Sequence, residues 1–429
     1  MIKCANLSAR LMVIGFLLVG ISLLPGAGPA DAMNRALAPP YYRALKLLSR
    51  TENVTKTESS QYHNDVKSYL QKKLKYYQFL DRYIADSIEE FEGEGISISI
   101  ISKDDLLFLK GYGYADKETQ TAATPFSLFG IGSVSKLITG IAIMQLVEQG
   151  RIDLDAPLED YIPDFGYKTH FPDAGPITVR TLMTHQSGLV GDIAKDWCSA
   201  TGPEHNFREL VDIIKEEYLA YPLRYISTYS NCAVALLGIV IENVSGVEFK
   251  TYAKNNICRP LGMLASNFSL RDYMTPILAK PYDSAGAESP FLYIRDEPAG
   301  AFISNTLEMS LFLRMILNGG ILFGQRILQQ STLEQMFVPQ NSDIELDFPN
   351  DHGAQWGLSW VLSAPSLAYA GKYVGHDGSI PNNYFTQMHI LPEHGLAVIV
   401  MTNNSSKRLQ ICLDIADRAM MKAWKFLKV

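Results

Sequence analysis

The sequence predicts an α+β fold: one antiparallel sheet, flanked by helices and built from both ends of the chain, with a mostly helical lobe inserted between them. Residues 96–101 alternate between apolar and polar types, 102–105 resemble a turn, and 106–109 are apolar again, which is the pattern of a β-hairpin. Residues 384–402 show a second hairpin, followed by a helical pattern over about 408–427. Strands at both chain ends predict a single sheet assembled from the two ends.

The stretch between the hairpins, from about residue 153 to 293, shows short helical patterns and loops without a convincing pair of strands. A cleft between such a lobe and the sheet is a usual place for a binding site. Before the first hairpin, apolar residues recur at helical spacing over about 66–91. Residues 33–75 are polar, and we expect an extension or linker with little fixed structure there. The domain proper is predicted to cover 76–429.

The first 32 residues have the features of a secretory signal peptide. Lys3 and Arg10 precede an apolar run over 11–24, and small residues follow up to Met33, so cleavage is expected before Met33. The apolar run is short for a membrane span of about 20 residues, although an uncleaved anchor is the alternative. We expect an exported protein, periplasmic or extracellular, with membrane contact only through this segment if it is retained.

The composition is that of an ordinary globular protein, with 429 residues, 47% of them hydrophobic, and a formal net charge of -7. An acidic chain of this kind is not expected to bind nucleic acid. Cys198, Cys232, Cys258 and Cys412 remain after signal removal, and free buried thiols are the commoner outcome in a chain of this size. Their pairing stays open, because export exposes them to an oxidising compartment. We expect no metal and no cofactor.

The tetrapeptide Ser-Val-Ser-Lys at 133–136 offers a nucleophile and a base one helical turn apart. Residues three apart on a helix share a face, so Lys136 can approach the Ser133 hydroxyl and take its proton during attack on a carbonyl. The alternative is a capping serine with a solvated lysine. Residues 137–147 are apolar on nearly all sides, which predicts a buried helix. A lysine at the mouth of such a helix indicates a specific role.

A second motif, Tyr229-Ser230-Asn231, precedes the apolar helical pattern that begins at Ala233. A tyrosine hydroxyl has a pKa of about 10, so Tyr229 can act as a base only if a cation such as Lys136 favours its phenolate. Asn231 carries both a donor and an acceptor, which suits it to hold a substrate amide. The alternative is a simple helix cap.

A third motif, Gly-His-Asp-Gly-Ser at 375–379, comes immediately before the C-terminal hairpin. Glycine lets a strand edge run close to a ligand, and a backbone amide on that edge could donate to an oxyanion. The alternative is a turn with a surface histidine. Three such motifs in one order, around one predicted cleft, are stronger than any one of them and predict a single site.

In this order the motifs resemble those of the serine β-lactamase and penicillin-binding protein superfamily, in the branch of class C β-lactamases, DD-peptidases, D-aminopeptidases and β-lactamase-like esterases. Stretches 144–157, 177–189 and 312–320 support the resemblance, which extends from about residue 75 to 429. It implies that Ser133 is the acylated nucleophile and that Lys136 and Tyr229 handle its proton. Tyr229 would also activate the water that resolves the acyl-enzyme.

For substrate binding, the resemblance implies that Asn231 contacts the acyl side chain and that His376 and Gly378 form the strand motif. The oxyanion hole would use the backbone amides of Ser133 and Ser379. His185, in the stretch Thr-His-Gln-Ser-Gly, is expected to fix a loop and not to belong to a catalytic triad.

Three departures from the family pattern bear on the substrate. Class C β-lactamases usually carry Lys-Thr-Gly where this chain has His376-Asp377-Gly378, and a neutral histidine pairs less reliably with a drug carboxylate than lysine does. Asn382 stands where glycine is common, and residues 222–224 replace the usual Pro-Gly.

We therefore expect an exported serine hydrolase that acts on a D-amino-acid-containing cell-wall peptide or an ester. The alternatives are a class C-type β-lactamase and a non-hydrolytic protein that binds penicillin or peptidoglycan.

Overall fold

The computed structural model describes residues 58–88, 94–173, 175–342, 355–405 and 409–427. The predicted signal peptide lies outside the described residues, as does the first part of the polar extension. The chain divides into two compact units, Met1–Asp86 and Ser87–Val429.

Helix α1 is the described part of the N-terminal region and extends over Glu58–Ile88. The expectation of little fixed structure up to residue 75 is therefore wrong for residues 58–75. The helical periodicity predicted from about residue 66 continues towards the N-terminus, since 58–65 contain neither glycine nor proline. Adding a turn to an existing helix costs far less than starting one.

The sheet of the second unit has five antiparallel strands in the order β3-β4-β5-β1-β2. The strands are β1 Ile96–Ser102, β2 Leu106–Tyr112, β3 Val374–Ile380, β4 Tyr384–Leu391 and β5 Leu396–Thr402. The two hairpins predicted from sequence join in the middle, where Ile96 of β1 lies opposite Thr402 of β5. The third motif is itself a strand, β3, at the edge of the sheet.

Helices cover both faces of this sheet. On one face, the Ser97 hydroxyl lies 2.6 Å from the Thr306 hydroxyl, at the start of a helix over Thr306–Leu317. On the other face, His389 Nε2 lies 3.1 Å from Asp417 Oδ1, in the predicted C-terminal helix, which extends over Leu409–Leu427. The pairing register places Gly378 opposite Thr386, and Thr386 opposite Met401, which is opposite Ser97. His376 and Gly378 therefore point to the same side of the sheet as Ser97.

The helices after α1 are numbered in chain order. They are α2 Ser135–Glu148, α3 Val179–Met183, α4 Leu210–Lys215, α5 Asn231–Ser245, α6 Phe249–Ala253, α7 Arg259–Leu261, α8 Glu297–Gly300, α9 Thr306–Leu317, α10 Gln330–Met336 and α11 Leu409–Leu427. A wide turn over Lys254–Cys258 joins α6 to α7. The predicted helical lobe contains α3 to α7, and a two-residue strand pair, Cys198–Ser199 with Tyr293–Ile294, also lies in it.

Helices α2 and α5 pack against each other in the core. Most side chains of α2 are buried on every side, as its apolar sequence predicts, and the buried set includes Lys136. Glycine at position 238 lets Pro298 of α8 and Phe207 approach α5 closely, because a Cβ there would lie 2.9 Å from the Phe207 ring. This contact brings α8 next to the start of α2 and α5.

Cys198, Cys232 and Cys258 are free thiols, and of these Cys198 is the one that is not fully buried. Within the described residues, no single helix is long and apolar enough to cross a membrane, although α5 together with the stretch Phe249–Leu261 passes that test as a pair bent by 80°.

Candidate active site

Ser133 lies in a short 3-10 turn, Gly132–Val134, that leads directly into α2. Gly132 has a φ of 52°, a left-handed conformation that glycine adopts at little cost. Ser135 fastens the turn, because its hydroxyl donates to the Gly132 carbonyl at 2.6 Å and accepts from the Phe302 amide at 2.9 Å. Ser133 itself is partly exposed, so its hydroxyl is accessible to a substrate while the turn holds it in place.

Lys136 is fully buried in the first turn of α2. Its ammonium nitrogen Nζ donates to Ser133 Oγ at 3.1 Å, to Asn231 Oδ1 at 2.6 Å and to the carbonyl of Ala299 at 2.8 Å. Burial lowers the pKa of Lys136 to about 7, against the opposing effect of nearby carboxylates, of which Asp192 is the strongest. The three acceptors satisfy the ammonium group, and a neutral amine is within reach at neutral pH.

Tyr229 lies beside this pair, with Lys136 Nζ 4.7 Å from the centre of its ring. A hydrogen bond joins its hydroxyl to that of Ser133. Burial raises the pKa of Tyr229 well above its usual value, so the phenol form prevails. From the sequence, Tyr229 was expected to act as a base only if a cation favoured its phenolate. Lys136 lies close enough to do so, but the effect of burial on the pKa of Tyr229 outweighs it, and the condition is not met.

The second motif is both a helix cap and part of this cluster. Ser230 is the N-cap of α5, and its hydroxyl accepts from the Ala233 amide at 3.0 Å. Asn231, the next residue, presents Oδ1 to Lys136 and donates from Nδ2 to Asp192 Oδ1 at 2.7 Å. The sequence left open whether this motif is a helix cap or part of a site. Ser230 forms the cap, and Asn231 belongs to the cluster around Lys136.

The edge strand β3 packs directly against the turn that carries Ser133. A Cβ on Gly378 would overlap the carbonyl of Ile131 and lie 2.8 Å from the Ser133 amide nitrogen. A Cβ on Gly132 would in turn lie 2.8 Å from the Ser379 amide nitrogen. The Ser133 amide therefore lies close to Gly378 and the Ser379 amide close to Gly132, so the two amides predicted for an oxyanion hole belong to backbones in direct contact.

His376, on the same strand, is buried and does not lie in a surface turn. Its Nδ1 lies 2.6 Å from the backbone carbonyl of Asp377, so Nδ1 carries the proton and donates. Burial lowers the pKa of His376 to about 4, which makes the ring neutral at pH 7. Asp377 is exposed on the edge strand and has a charge that acts on both Lys136 and Tyr229.

The rings of His185 and Trp356 pack against Tyr229. The ring of His185 lies 4.5 Å from that of Tyr229 and 4.5 Å from that of Trp356. His185 Nδ1 accepts from the Ser230 amide at 3.2 Å, and its carbonyl accepts from the Thr228 amide at 2.8 Å. His185 thus holds the loop before α5 in place, as expected, and the buried Trp356 packs beside both His185 and Tyr229.

Two members of the cluster were missed by sequence reasoning. Ala299 contributes a backbone carbonyl, for which an alanine in a sequence carries no signal. Asp192 was not singled out because it belongs to none of the three motifs. The departures at Asn382 and Arg224 are positions with φ of 56° and 58°. Both lie in the left-handed region that glycine prefers, which explains why glycine is usual there.

A comparison with protein families identifies the chain. The beta-lactamase family model matches residues 80–414, which is most of the chain. The protein belongs to the beta-lactamase family. The resemblance noted from the three motifs is thereby confirmed, with nearly the same bounds.

Among proteins similar in sequence, PbpX of Bacillus subtilis (strain 168), whose name describes a candidate penicillin-binding protein, is 26% identical over 75% of this chain and 73% of its own length. Protein flp of Staphylococcus aureus (strain NCTC 8325 / PS 47) is 24% identical over 77% of this chain. The chain spans 64% of the length of protein flp, which is under two thirds.

Among solved structures, the octameric penicillin-binding protein homologue from Pyrococcus abyssi matches with a TM-score of 0.68 and 27% identity, over 81% of this chain and 77% of its own. A beta-lactamase/D-alanine carboxypeptidase from Yersinia pestis matches with a TM-score of 0.67 at 20% identity, over 82% and 99%. EstCE1, described as a hydrolase with promiscuous acyltransferase activity, matches at 0.66 and 19%, over 82% and 98%. The latter two show the fold alone. The predicted fold class is confirmed.

Proposed function

We propose that this beta-lactamase-family protein is an exported serine hydrolase that cleaves an amide or ester bond through an acyl-enzyme on Ser133. The observation that carries the proposal is the distance of 3.1 Å between Lys136 Nζ and Ser133 Oγ. Because burial lowers the pKa of Lys136 to about 7, this nitrogen can hold or release a proton near neutral pH. A base whose pKa lies close to the working pH is the most effective proton acceptor.

In the acylation step, the neutral amine of Lys136 accepts the proton of the Ser133 hydroxyl as Oγ attacks the substrate carbonyl carbon. The carbonyl oxygen becomes an oxyanion, and the amides of Ser133 and Ser379 lie where they can stabilise it. When the bond to the leaving group breaks, that amine or alcohol takes up a proton from the Lys136 ammonium, with the Tyr229 phenol as the hydrogen-bonded relay. The leaving group departs neutral, and the acyl group stays on Ser133.

In the deacylation step, water attacks the ester formed on Ser133. A proton of this water passes to Lys136 and then to Ser133 Oγ, as the bond between the acyl carbon and Ser133 Oγ breaks. The high pKa of Tyr229 favours the phenol as a proton relay, so we assign proton removal from the water to Lys136, with Tyr229 holding the water. This assignment differs from the water-activating base expected for Tyr229 from the family resemblance.

For the substrate, we propose a D-amino-acid-containing peptide first and a small ester second. β-Lactams carry a carboxylate next to the reacting ring, and a fixed cation would be needed to hold it. In this site the third motif contributes His376, whose pKa of about 4 makes it neutral, and the exposed carboxylate of Asp377 follows it. Like charges repel a second carboxylate, whether it belongs to a β-lactam or to a peptide with a free carboxylate directly after the scissile bond, so we expect a peptide without a carboxylate at that position. The predicted signal peptide supports export, where such peptides occur.

The test is to incubate the chain from residue 33 onward with a fluorescent penicillin, a nitrophenyl ester and a D-Ala-D-Ala peptide with an amidated C-terminus, and to follow turnover and intact mass. We expect hydrolysis of the peptide or the ester, and a transient mass increase that Ser133→Ala abolishes. Ser331→Ala, an exposed serine in α10, is the matched control and should behave as wild type.

Each other outcome has a definite meaning. Penicillin labelling without turnover of any substrate would favour the non-hydrolytic alternative. Rapid penicillin turnover would favour a β-lactamase. Full activity in Ser133→Ala would disprove the nucleophile assignment.

A further inference from the structure

The carboxylate of Asp192 is connected to Lys136 through one side chain. Asn231 donates from Nδ2 to Asp192 Oδ1 at 2.7 Å and accepts from Lys136 Nζ at Oδ1 at 2.6 Å. An ionised carboxylate only accepts hydrogen bonds, so the amide end that faces Asp192 must be the NH2 group. The oxygen end of the same amide is then forced to face Lys136. Without Asp192, either end of the amide could face the neutral amine of Lys136, which both donates and accepts.

The orientation of this amide determines what Lys136 can do for Ser133. A neutral amine has two N–H donors and one lone pair, and Nζ has three polar neighbours. Asn231 Oδ1 and the Ala299 carbonyl can only accept, so they take both N–H groups. The lone pair is left for the third neighbour, the Ser133 hydroxyl. A turned Asn231 amide would present a donor to Nζ and compete with Ser133 for the lone pair.

A buried arginine holds the two supporting segments together. The guanidinium of Arg295 donates to the carbonyls of Ile193 and Lys195 at 3.1 and 2.8 Å, in the segment that begins with Asp192. It also donates from Nε to Asp296 Oδ1 at 2.7 Å, just before α8, which carries Ala299. One side chain therefore links the segment that orients Asn231 to the helix that supplies the second acceptor.

We infer that Asp192 is a positioning residue for the proposed acylation, because it fixes the Asn231 amide so that the lone pair of Lys136 points at Ser133. Arg295 supports this arrangement by linking the segment that begins with Asp192 to α8, which carries Ala299. The inference rests on the proposed function for its consequence in catalysis. The orientation of the amide does not depend on that function, and it can be measured separately.

The experiment compares Asp192→Ala with Asp192→Asn. Asp192 is exposed, so both variants should fold, which thermal unfolding checks. The negative charge of Asp192 raises the pKa of Lys136. Removing the charge should therefore shift the rise of the acylation rate to lower pH in both variants. The plateau rate should fall about tenfold or more in Asp192→Ala, which loses the acceptor, since a hydrogen bond to a charged group is worth about 10–100-fold.

Asp192→Asn can still accept from Asn231 through its amide oxygen, but its own amide can also turn, so we expect its plateau rate to lie between those of Asp192→Ala and wild type. Asp164→Ala removes another exposed carboxylate, which does not act on Lys136, and should change neither quantity. Equal plateau rates in Asp192→Ala and wild type would overturn the inference. A fall of the same size in both Asp192 variants would also overturn it, because charge alone would then be responsible.

A second measurement separates this inference from the proposed function. In protein labelled with 13C at lysine Cε, the Lys136 resonance, assigned with Lys136→Met, reports its titration directly. We expect its midpoint to move to lower pH in both Asp192 variants even if no substrate is found. An unchanged midpoint would contradict the link between Asp192 and Lys136, whereas a shifted midpoint without any acylation would contradict the proposed function alone.

Discussion

Gly378 leaves no space for a side chain against the backbone of Ser133: a Cβ at position 378 would lie 2.8 Å from the Ser133 amide nitrogen and overlap the Ile131 carbonyl. The edge strand and the nucleophile turn are thus in direct backbone contact. The relative position of the Ser133 and Ser379 amides depends on this contact.

Gly378→Ala should therefore impair acylation by pushing the strand away from the turn. We expect the acylation rate to fall by about 10²-fold or more, the usual effect of losing one oxyanion donor, and the unfolding temperature to fall as well. Gly166→Ala is a matched control, since a Cβ there meets nothing nearer than 3.7 Å. A normal rate in Gly378→Ala would argue against an oxyanion hole at this position.

The pH dependence of acylation should follow the titration of Lys136. Its ammonium form has no lone pair, so the rate should rise as pH increases through about 7, the pKa that burial imposes on Lys136. Stopped-flow measurements of acylation between pH 5 and 9 would check this. Lys136→Met should lose about 10²–10⁴-fold, the usual contribution of a general base, and the pH-dependent rise should disappear. A pH-independent rate in the wild type would exclude Lys136 as the base.

The stability of the protein should also report Lys136. The pKa of this group is lower in the folded chain, at about 7, than in the unfolded chain, at about 10.5. Between these values the unfolded state binds more protons, so the contribution of Lys136 to stability rises with pH and is most unfavourable below pH 7. The free energy of unfolding of the wild type relative to Lys136→Met should increase from pH 7 to 10. Denaturant titrations measure it, and a constant difference would contradict the lowered pKa.

His376→Lys should change selectivity more than overall activity. A lysine at this position provides a cation for a substrate carboxylate, whereas the pKa of about 4 keeps His376 neutral. We expect the ratio of penicillin acylation to ester hydrolysis to rise about tenfold, which corresponds to one added charge interaction with the substrate carboxylate. His376→Gln, which stays neutral, is the control and should leave the ratio near that of wild type. An unchanged ratio in His376→Lys would remove the argument against β-lactams.

Local patterns were enough to predict much of this site. The spacing between Ser133 and Lys136 places them on one helix face whatever surrounds the helix, and an apolar run after Lys136 can only be buried. Alternation predicted the strands of both hairpins, because side chains on a strand point to opposite faces in turn. Ser230 caps α5 through a bond to a residue three positions along the chain, which is also local. The start of α1 was misplaced, since a polar composition without glycine or proline does not stop a helix.

By itself, the sequence determined the family, the order of the three motifs and the close spacing of Ser133 and Lys136, since these depend on residue types at short spacings. The tertiary structure alone decided how Lys136 is held and charged. Ala299 contributes a carbonyl that every residue has, and Asp192 acts through Asn231 from a different part of the chain. The pKa of Lys136 and the neutral state of His376 follow from burial, which depends on long-range packing. Local spacing thus determined which groups we propose to react, and packing determined their protonation and orientation.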